Sequence, residues 1–234
     1  MVEICLIWGI LFPVLGTVLG AALVWLVNWE SGRLRRIVAG AAAGIMGTAC
    51  IGSLLLPGLQ MSLTALLGAV LGITFLAFTA LLTGKRSHTG ALVALAVVLH
   101  NIPEGMATGV SFGSWLTGAG LSVSQAVSVG LGIGLQNLPD GAMVSLPLRQ
   151  QGMSRGKAFL AGVLSALVEP LAAGLMLFWA RRLTVFLPAL MGFAAGAMAF
   201  VITQELLPAM ELRKGKGEGI TAMILGILFM LAVL

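Results

Sequence analysis

Charged residues are scarce in this chain of 234 amino acids. Only 9% of the residues are Asp, Glu, Lys or Arg, whereas soluble domains contain about 25%. Hydrophobic residues make up 59% of the sequence, and its mean hydropathy is +1.08. Apolar runs of about 20 residues recur along the chain without the alternation that β-barrel strands show. The sequence therefore excludes an ordinary soluble domain and predicts an all-α polytopic membrane protein.

Cysteine and histidine are also rare, with two residues of each. Cys5 and Cys50 make neither a disulfide framework nor a Cys-x-x-Cys metal site. No His-Glu-x-x-His string occurs, which argues against a zinc peptidase. Residues 109–113 match the Gly-x-Ser-x-Gly elbow of serine hydrolases. That elbow needs a strand before it and a histidine later in the chain. Here a helix is predicted before it and no histidine follows, so we reject a hydrolase.

The apolar runs predict eight transmembrane helices in one domain that covers residues 1–234. The connections between them are short, so consecutive helices should run antiparallel. The expected helix ranges, numbered 1 to 8 in chain order, are 4–27, 37–56, 61–82, 91–111, 121–148, 158–180, 184–210 and 220–234.

Basic residues lie mostly in loops on one side of this predicted bundle. Only Arg181 and Arg182 lie on the other side. By the positive-inside rule the basic side is cytoplasmic, so both termini should be extracytoplasmic. The same distribution explains the net charge of +5 without nucleic acid as a partner. The basic residues that follow helices 1, 3, 5 and 7 are Arg33, Arg35, Arg36, Lys85, Arg86, Arg149, Arg155, Lys157, Arg213, Lys214 and Lys216.

A short string recurs weakly in helices 2 and 7, as GAAAGIM at 40–46 and GFAAGAM at 192–198. Two generic packing faces of small residues would explain it. An inverted repeat would also explain it, because helices 2 and 7 cross in opposite directions. Related strings on helices 4 and 5 fit the same symmetry. The repeat would give an arrangement of three, two and three helices, in which those two strings meet at the middle of the membrane.

Helices 4 and 5 carry these related polar strings inside their apolar runs. Helix 4 has HNIPEG at 100–105, and helix 5 has QNLPDG at 136–141. In each string the first residue and the acid are four apart, which puts them on one helix face. Each proline lacks an N–H, which frees the carbonyls of Leu99 and Leu135. Imidazole, carboxylate, carboxamide and carbonyl oxygen together form a ligand set for a divalent cation.

Four of the eight acidic residues lie within the predicted spans, namely Glu104, Asp140, Glu169 and Glu205. A charged side chain at the bilayer centre costs about 2.5–3.5 kcal/mol. No basic residue lies deep in any span, so no buried ion-pair partner is available. Glu104, Asp140 and Glu169 therefore favour a cation site. Glu205 lies near the cytoplasmic end of helix 7 and could belong to such a site or be solvated.

Other candidate ligands are fewer. His100 is the only histidine inside a span, and its neighbours Asn101 and the acid one turn later favour a ligand role. His88, in the loop after helix 3, is more typical of a solvated residue. Met46, Cys50 and Ser53 form a stripe on helix 2 that is typical of packing, with a pore-lining role as the alternative.

These strings resemble the ZIP (Zrt/Irt-like) family of divalent-metal transporters, and most of all its GufA-like subfamily. The strings of helices 4 and 5 carry the resemblance, and 52–57, 168–170 and 204–208 support it. It implies uptake of zinc-like ions into the cytoplasm through a two-metal site at the middle of the membrane. The implied ligands are His100, Asn101, Glu104, Gln136, Asn137, Asp140 and Glu169, with Met46 as a further candidate and Glu205 on the release path.

Three positions depart from the family pattern. Asp140 stands where the family usually has glutamate, which is one methylene longer and better able to bridge two metals. Ala209 follows Pro208 where an acidic residue is common, so the exit path carries less charge. The loop after helix 3 is often rich in histidine but here has only His88, so it is a poor metal-capture segment.

The sequence thus predicts a metal transporter with alternating access and not an enzyme. An intramembrane metal-dependent enzyme and a selective metal channel are the alternatives. One histidine among oxygen ligands admits zinc first, and also cadmium, manganese, iron or cobalt. We expect a multi-pass protein of the cell membrane, in particular a prokaryotic inner membrane. Its partners would be metal ions and the lipid bilayer, with a homodimer admissible.

Overall fold

A computed structural model describes residues 2–26, 31–83, 90–212 and 217–233. Within these ranges the side chains of 2–5, 82–83, 90–100, 180–181 and 183–184 are not described. The described residues form helices and short turns and include no β-strand, which confirms the all-α class.

The helices are labelled in chain order. Four helices are uninterrupted: α3 spans Thr64–Thr83, α4 spans Gly90–Thr117, α5 spans Val123–Gln150 and α8 spans Glu218–Val233. Helix α1 spans Val2–Ala22 and ends in a 3-10 turn at Leu23–Trp25, and α6 consists of Arg155–Ala166 and Val168–Leu183. Helices α2 and α7 each contain a π-helix: α2 spans Gly32–Ala49, the π-helix Cys50–Leu55 and Leu56–Met61, and α7 follows a 3-10 turn at Thr184–Phe186 and spans Leu187–Val201, the π-helix Ile202–Leu206 and Leu207–Ala209.

The largest boundary error of the sequence prediction is at the end of α4, which reaches Thr117 rather than residue 111. Helix α2 begins at Gly32 rather than at residue 37. Ser31 caps this helix, because its side chain accepts a hydrogen bond from the N–H of Leu34. The cap satisfies one of the free N–H groups of the first turn. Arg33 and Arg36 therefore lie in α2, whereas the sequence analysis placed them in a loop.

Five helical segments of the described part are long and apolar enough to cross a membrane. Many of their large apolar side chains point outward, such as Leu67 and Phe178, which are 66% and 80% exposed. Such faces suit contact with lipid, where backbone groups must be satisfied inside the helix. The chain is therefore a polytopic membrane protein. The five segments are Leu6–Trp25, Gly32–Met61, Thr64–Leu81, Arg155–Trp179 and Leu187–Ala209.

Glycines bring α5 against α1, and α4 against α6, at backbone distance. A Cβ added at Gly141 would collide with the carbonyl oxygen of Thr17, and one added at Gly105 would collide with that of Glu169. Only glycine lets two helices approach so closely. The two contacts occur at equivalent positions of their helix pairs. Gly105 and Gly141 are 36 residues apart, and their partners, Thr17 and Glu169, are 152 residues apart.

The same relation joins α2 to α8 and α7 to α3. A Cβ at Gly44 would collide with the carbonyl oxygen of Met223, and one at Gly196 with that of Ala69. These glycines are again 152 residues apart, and their partners are 154 apart. The recurring small-residue strings of the sequence therefore lie in packing faces, which both interpretations of the recurrence allow.

A buried apolar cluster joins α2, α4, α5 and α7. Met46, Ile133 and Met198 are among its members, and each is at most 2% exposed. Gly132 and Gly134 flank Ile133 on α5 and leave room for Met230 and Phe12, respectively. Helix α5 thus contacts α1, α2, α4, α6 and α8, which positions its polar string inside the bundle.

Ion pairs tie one end of the bundle together. Arg36, which is 3% exposed, lies 3.1 Å from Glu211 and 3.5 Å from Glu218 between the nearest charged atoms. Arg35 lies 2.9 Å from the other carboxylate oxygen of Glu211. The start of α2, the segment after α7 and the start of α8 are therefore linked by opposite charges.

Candidate metal centre

Helix α5 brings two fully buried amides to the centre of the bundle. The amide nitrogen of Gln136 donates a hydrogen bond to Oε1 of Glu104 on α4, over 2.6 Å. Both side chains are completely buried. A short bond of this kind to a carboxylate is stronger than one between neutral groups. The polar strings of α4 and α5 therefore contact each other through the first residue of one and the acid of the other.

The neighbouring amide points to α6 and α1. Nδ2 of Asn137 donates to Oε2 of Glu169 over 2.7 Å and to the carbonyl oxygen of Pro13 over 3.2 Å. Both hydrogens of this NH2 group are thereby used. The hydroxyl of Thr17 lies 3.5 Å from the other carboxylate oxygen of Glu169. Glu169 is 2% exposed, so its carboxylate depends on these neighbours in place of water.

Three buried carboxyl groups share this region. Asp140 is 9% exposed and lies one turn after Gln136 on α5. The carboxyl groups of Glu104 and Asp140 both lie close enough to that of Glu169 to interact with it electrostatically. The sequence contains no Lys or Arg between Arg86 and Arg149, so α4, and α5 up to its last turn, contain neither residue. Carboxylates gathered in a region of low dielectric repel one another, and a cation would relieve that repulsion.

Two amide oxygens in the same place are buried without a hydrogen-bond partner among the described atoms. They are Oε1 of Gln136 and Oδ1 of Asn137. A buried acceptor without a partner costs about 1–3 kcal/mol. Amide oxygens are also ligands of divalent cations. Carboxylate and amide oxygens together could therefore hold a cation between α4, α5 and α6.

Asn101 has a different contact. It is 2% exposed, and its amide nitrogen donates to the carbonyl oxygen of Ser165, over 2.9 Å, just before α6 is interrupted at Leu167. This bond corresponds to the bond from Asn137 to Pro13. The two asparagines are 36 residues apart, and the accepting residues, Pro13 and Ser165, are 152 residues apart, which are the offsets of the glycine contacts. The amide nitrogen of Asn101 thus holds α6 against α4.

His100 lies in α4, but its side chain is outside the described residues, as is all of His88. Among the side chains that are described, no three of the His, Cys, Asp and Glu residues form a group that could hold a metal ion. The ligand roles given to His100 and to the acids of α4, α5 and α6 therefore stay predictions.

The two remaining candidates differ in their surroundings. Met46 is fully buried in the apolar cluster, one turn before Cys50, whose thiol donates to the carbonyl oxygen of Ala195 over 3.1 Å. The π-helix that starts at Cys50 changes the spacing on which the stripe from Met46 to Ser53 was based. Glu205 lies in the π-helix of α7 and is exposed, unlike the buried acids of the centre.

Two residues of α1 reach the centre that the sequence analysis did not single out. They are Thr17, which faces Glu169, and Pro13, whose carbonyl oxygen binds Asn137. The recurring strings of α2 and α7 are 152 residues apart. Position 17 lies 152 residues before Glu169, so this offset would have identified Thr17 from the sequence.

Comparison with known proteins matches the larger part of the chain to one family. Residues 78–234 match the family model described as ZIP zinc transporter. A protein of Bordetella bronchiseptica named zinc transporter ZIPB is 32% identical over 219 residues, which cover 82% of this chain and 68% of that protein.

Two further relatives are matched over shorter stretches. Human zinc transporter ZIP11 is 40% identical over 143 residues, which cover 61% of this chain and 42% of the human protein. Zinc transporter GufA of Myxococcus xanthus is 35% identical over 150 residues, which cover 64% of this chain and 56% of that protein. The chain therefore spans about half the length of these two relatives.

Proposed function

Because this chain belongs to the ZIP zinc-transporter family, we propose that it moves zinc across a membrane into the cytoplasm. The members matched are transporters and not enzymes. The cation would bind where α4, α5 and α6 meet. The observation that carries the proposal is the pair of buried carboxylates, Glu104 and Glu169, that contact the amides of Gln136 and Asn137. Zinc comes first because the relatives are named zinc transporters, while cadmium, manganese, iron and cobalt suit the same ligands.

Binding requires the two amides to turn. Their NH2 groups point at the carboxylates of Glu104 and Glu169, and a cation beside those oxygens would be repelled by the N–H dipoles. Rotation about the last side-chain bond exchanges the nitrogen for the oxygen. Gln136 and Asn137 would then offer Oε1 and Oδ1 as ligands, and the carboxylates would bind the cation directly. His100 and Asp140 would complete the set from the same faces of α4 and α5.

The register of the helix contacts supports an inverted repeat of three, two and three helices. Offsets of 152 residues relate α1 to α6 and α2 to α7, one of 154 relates α3 to α8, and one of 36 relates α4 to α5. We infer eight membrane crossings in one domain from this relation. The basic residues on one side support a cytoplasmic location for that side and extracytoplasmic termini.

The glycine contacts support two rigid groups of helices. One contains α1, α4, α5 and α6, and the other contains α2, α3, α7 and α8. In the described residues the main contacts between the groups are α2 with α5 and α4 with α7. Alternating access would be movement along these two surfaces. The faces of Gly44 and Gly196 lie inside the second group, so they hold its helices together and do not line the moving surface.

The wider setting follows from the same family. We propose a multi-pass protein of the cell membrane, in particular a prokaryotic inner membrane. A homodimer is compatible with the exposed apolar faces, which lipid would equally cover.

The test is zinc influx into proteoliposomes that contain a zinc-sensitive dye. Glu104→Gln and Glu169→Gln should each reduce influx at least tenfold, because each removes a charged ligand. Glu218→Gln makes the same chemical change outside the centre and should leave influx within twofold of the parent. Equal influx for all four proteins at matched reconstitution would refute the site. Influx that fails to saturate with zinc would favour a channel over a carrier.

A further inference from the structure

Helix α1 supplies a hydroxyl to the centre, although it lies outside the residues that match the family model. Thr17 is 1% exposed. Its Oγ1 lies 3.4 Å from the carbonyl oxygen of Pro13 and 3.5 Å from Oε1 of Glu169. One hydroxyl hydrogen can be donated to only one of these acceptors at a time. The hydroxyl therefore has two alternative partners at nearly equal distance.

The two oxygens of Glu169 have separate donors. Oε2 accepts from Asn137 and Oε1 faces Thr17. Asn137 also donates to Pro13, the second acceptor of Thr17. The backbone of α1 at Thr17 is held in place by α5, since Gly141 packs directly on the carbonyl group of Thr17. Pro13, Thr17, Asn137 and Glu169 thus form one connected group between α1, α5 and α6.

We propose that Thr17 is a positioning residue for Glu169 when a divalent cation binds. The inference rests on the proposed function, in which Asn137 turns its amide and withdraws its donor from Oε2. Oε2 then faces the cation, while the Thr17 hydroxyl donates to Oε1 and keeps the carboxylate from rotating. Pro13 remains the acceptor of the hydroxyl in the other arrangement. Helix α1 is thereby part of the cation site and not only a packing partner of α5.

A merely structural role is the competing explanation. Threonine in a helix commonly bonds to the carbonyl four residues back, as Thr74 does to Val70 over 2.7 Å. Thr17 has the same local bond, but it is longer, and its hydroxyl is also within reach of a buried carboxylate. The experiment must therefore separate loss of the hydroxyl from loss of helix packing.

Thr17→Val removes the hydroxyl at nearly constant volume, and Thr17→Ser keeps it while removing a methyl group. In zinc influx measurements we expect Thr17→Val to raise KM about three- to tenfold with little change in the maximal rate, as loss of one hydrogen bond of ordinary strength would. Thr17→Ser should retain the parental KM. Thr74→Val is the matched control on α3, and its KM should be unchanged.

A double-mutant cycle on zinc affinity, measured in detergent by competition with a zinc dye, gives a second readout. Thr17→Val should weaken binding in the parent but have no further effect in Glu169→Gln, because the hydroxyl acts through that carboxylate. Equal effects in both backgrounds would overturn the inference, as would a Thr17→Ser variant as impaired as Thr17→Val. If the parent moves zinc and Thr17→Val matches it, only this inference fails. If the parent binds and moves no zinc, the proposed function fails with it.

Discussion

The contact between α4 and α6 gives the sharpest test of the packing, because it places a glycine against the backbone of a candidate ligand. In Gly105→Ala the new Cβ would collide with the carbonyl oxygen of Glu169 and lie 2.8 Å from its Cα and 2.9 Å from Cβ of Ala172. None of these atoms belongs to a flexible side chain, so the helices must separate. Overpacking of this kind costs about 1–3 kcal/mol. For a chain of this size that corresponds to a fall in Tm of roughly 2–12 °C.

The assay is thermal unfolding in detergent, followed by zinc influx on the same preparations. Gly174→Ala is the matched control, since an added Cβ on that α6 glycine meets nothing within 4 Å. Its stability should stay the same or rise by up to about 1 kcal/mol, because alanine loses less backbone entropy on folding.

A third variant separates stability from the site. Gly44→Ala disturbs the α2–α8 contact and should lower Tm like Gly105→Ala, but only Gly105→Ala shifts the backbone of Glu169 and should raise KM for zinc. A Gly105→Ala protein as stable as the parent would refute the close approach of α4 and α6. An equal rise of KM in Gly44→Ala would refute the link between that contact and the centre.

Two further predictions concern stability. Zinc at about 100 times its dissociation constant should stabilise the protein by about 2.7 kcal/mol, seen as a higher Tm that a chelator reverses and that Glu104→Gln lacks; an equal rise in that variant would place the zinc elsewhere. At the start of α8, the pKa of Glu218 lies below its ordinary value of 4.5. The main cause is the hydrogen bond from the residue's own backbone N–H, and the nearby guanidinium groups of Arg36 and Arg33 lower the pKa further. Because the pKa is lowered in the folded state, the carboxylate contributes stability above pH 4.5, and this contribution is lost as pH falls through the folded-state pKa. The Tm of Glu218→Gln should therefore fall less steeply with acid than the Tm of the parent. Parallel curves of Tm against pH would contradict the ion pair.

The sequence predicted the helical class and the residues of the centre better than it predicted their contacts. The spacing of four residues placed His100 and Glu104 on one face of a helix. The described hydrogen bonds of the centre cross between helices, from Gln136 to Glu104 and from Asn137 to Glu169, and the spacing did not identify these partners. Periodicity reports which residues share a face of one helix, but the partner on the next helix depends on the depth and rotation at which the two pack.

Local irregularity was also hidden from the periodic pattern. Pro57 and Pro208 each follow a π-helical segment, and both residues were visible in the sequence. A proline requires that a helix lose a hydrogen bond, but the backbone can respond by a kink, an interruption or a wider turn. Thr17 was overlooked for a related reason. A threonine in an apolar helix is ordinary, and only the register between α1 and α6 brings it to Glu169.

The arginines at the start of α2 have a consequence for the order of biogenesis. Arg36 is made 175 residues before Glu211, its partner in the finished bundle. While the first helices enter the membrane, neither Glu211 nor Glu218 has been translated, so the arginines carry their full charge when the positive-inside rule predicts that they orient the chain. Once the last helix is inserted, the same guanidinium groups are neutralised and clamp three segments together. Arg36 is thus predicted to act first on topology and later on the finished fold, and its replacement by lysine would test these two effects at separate moments of synthesis.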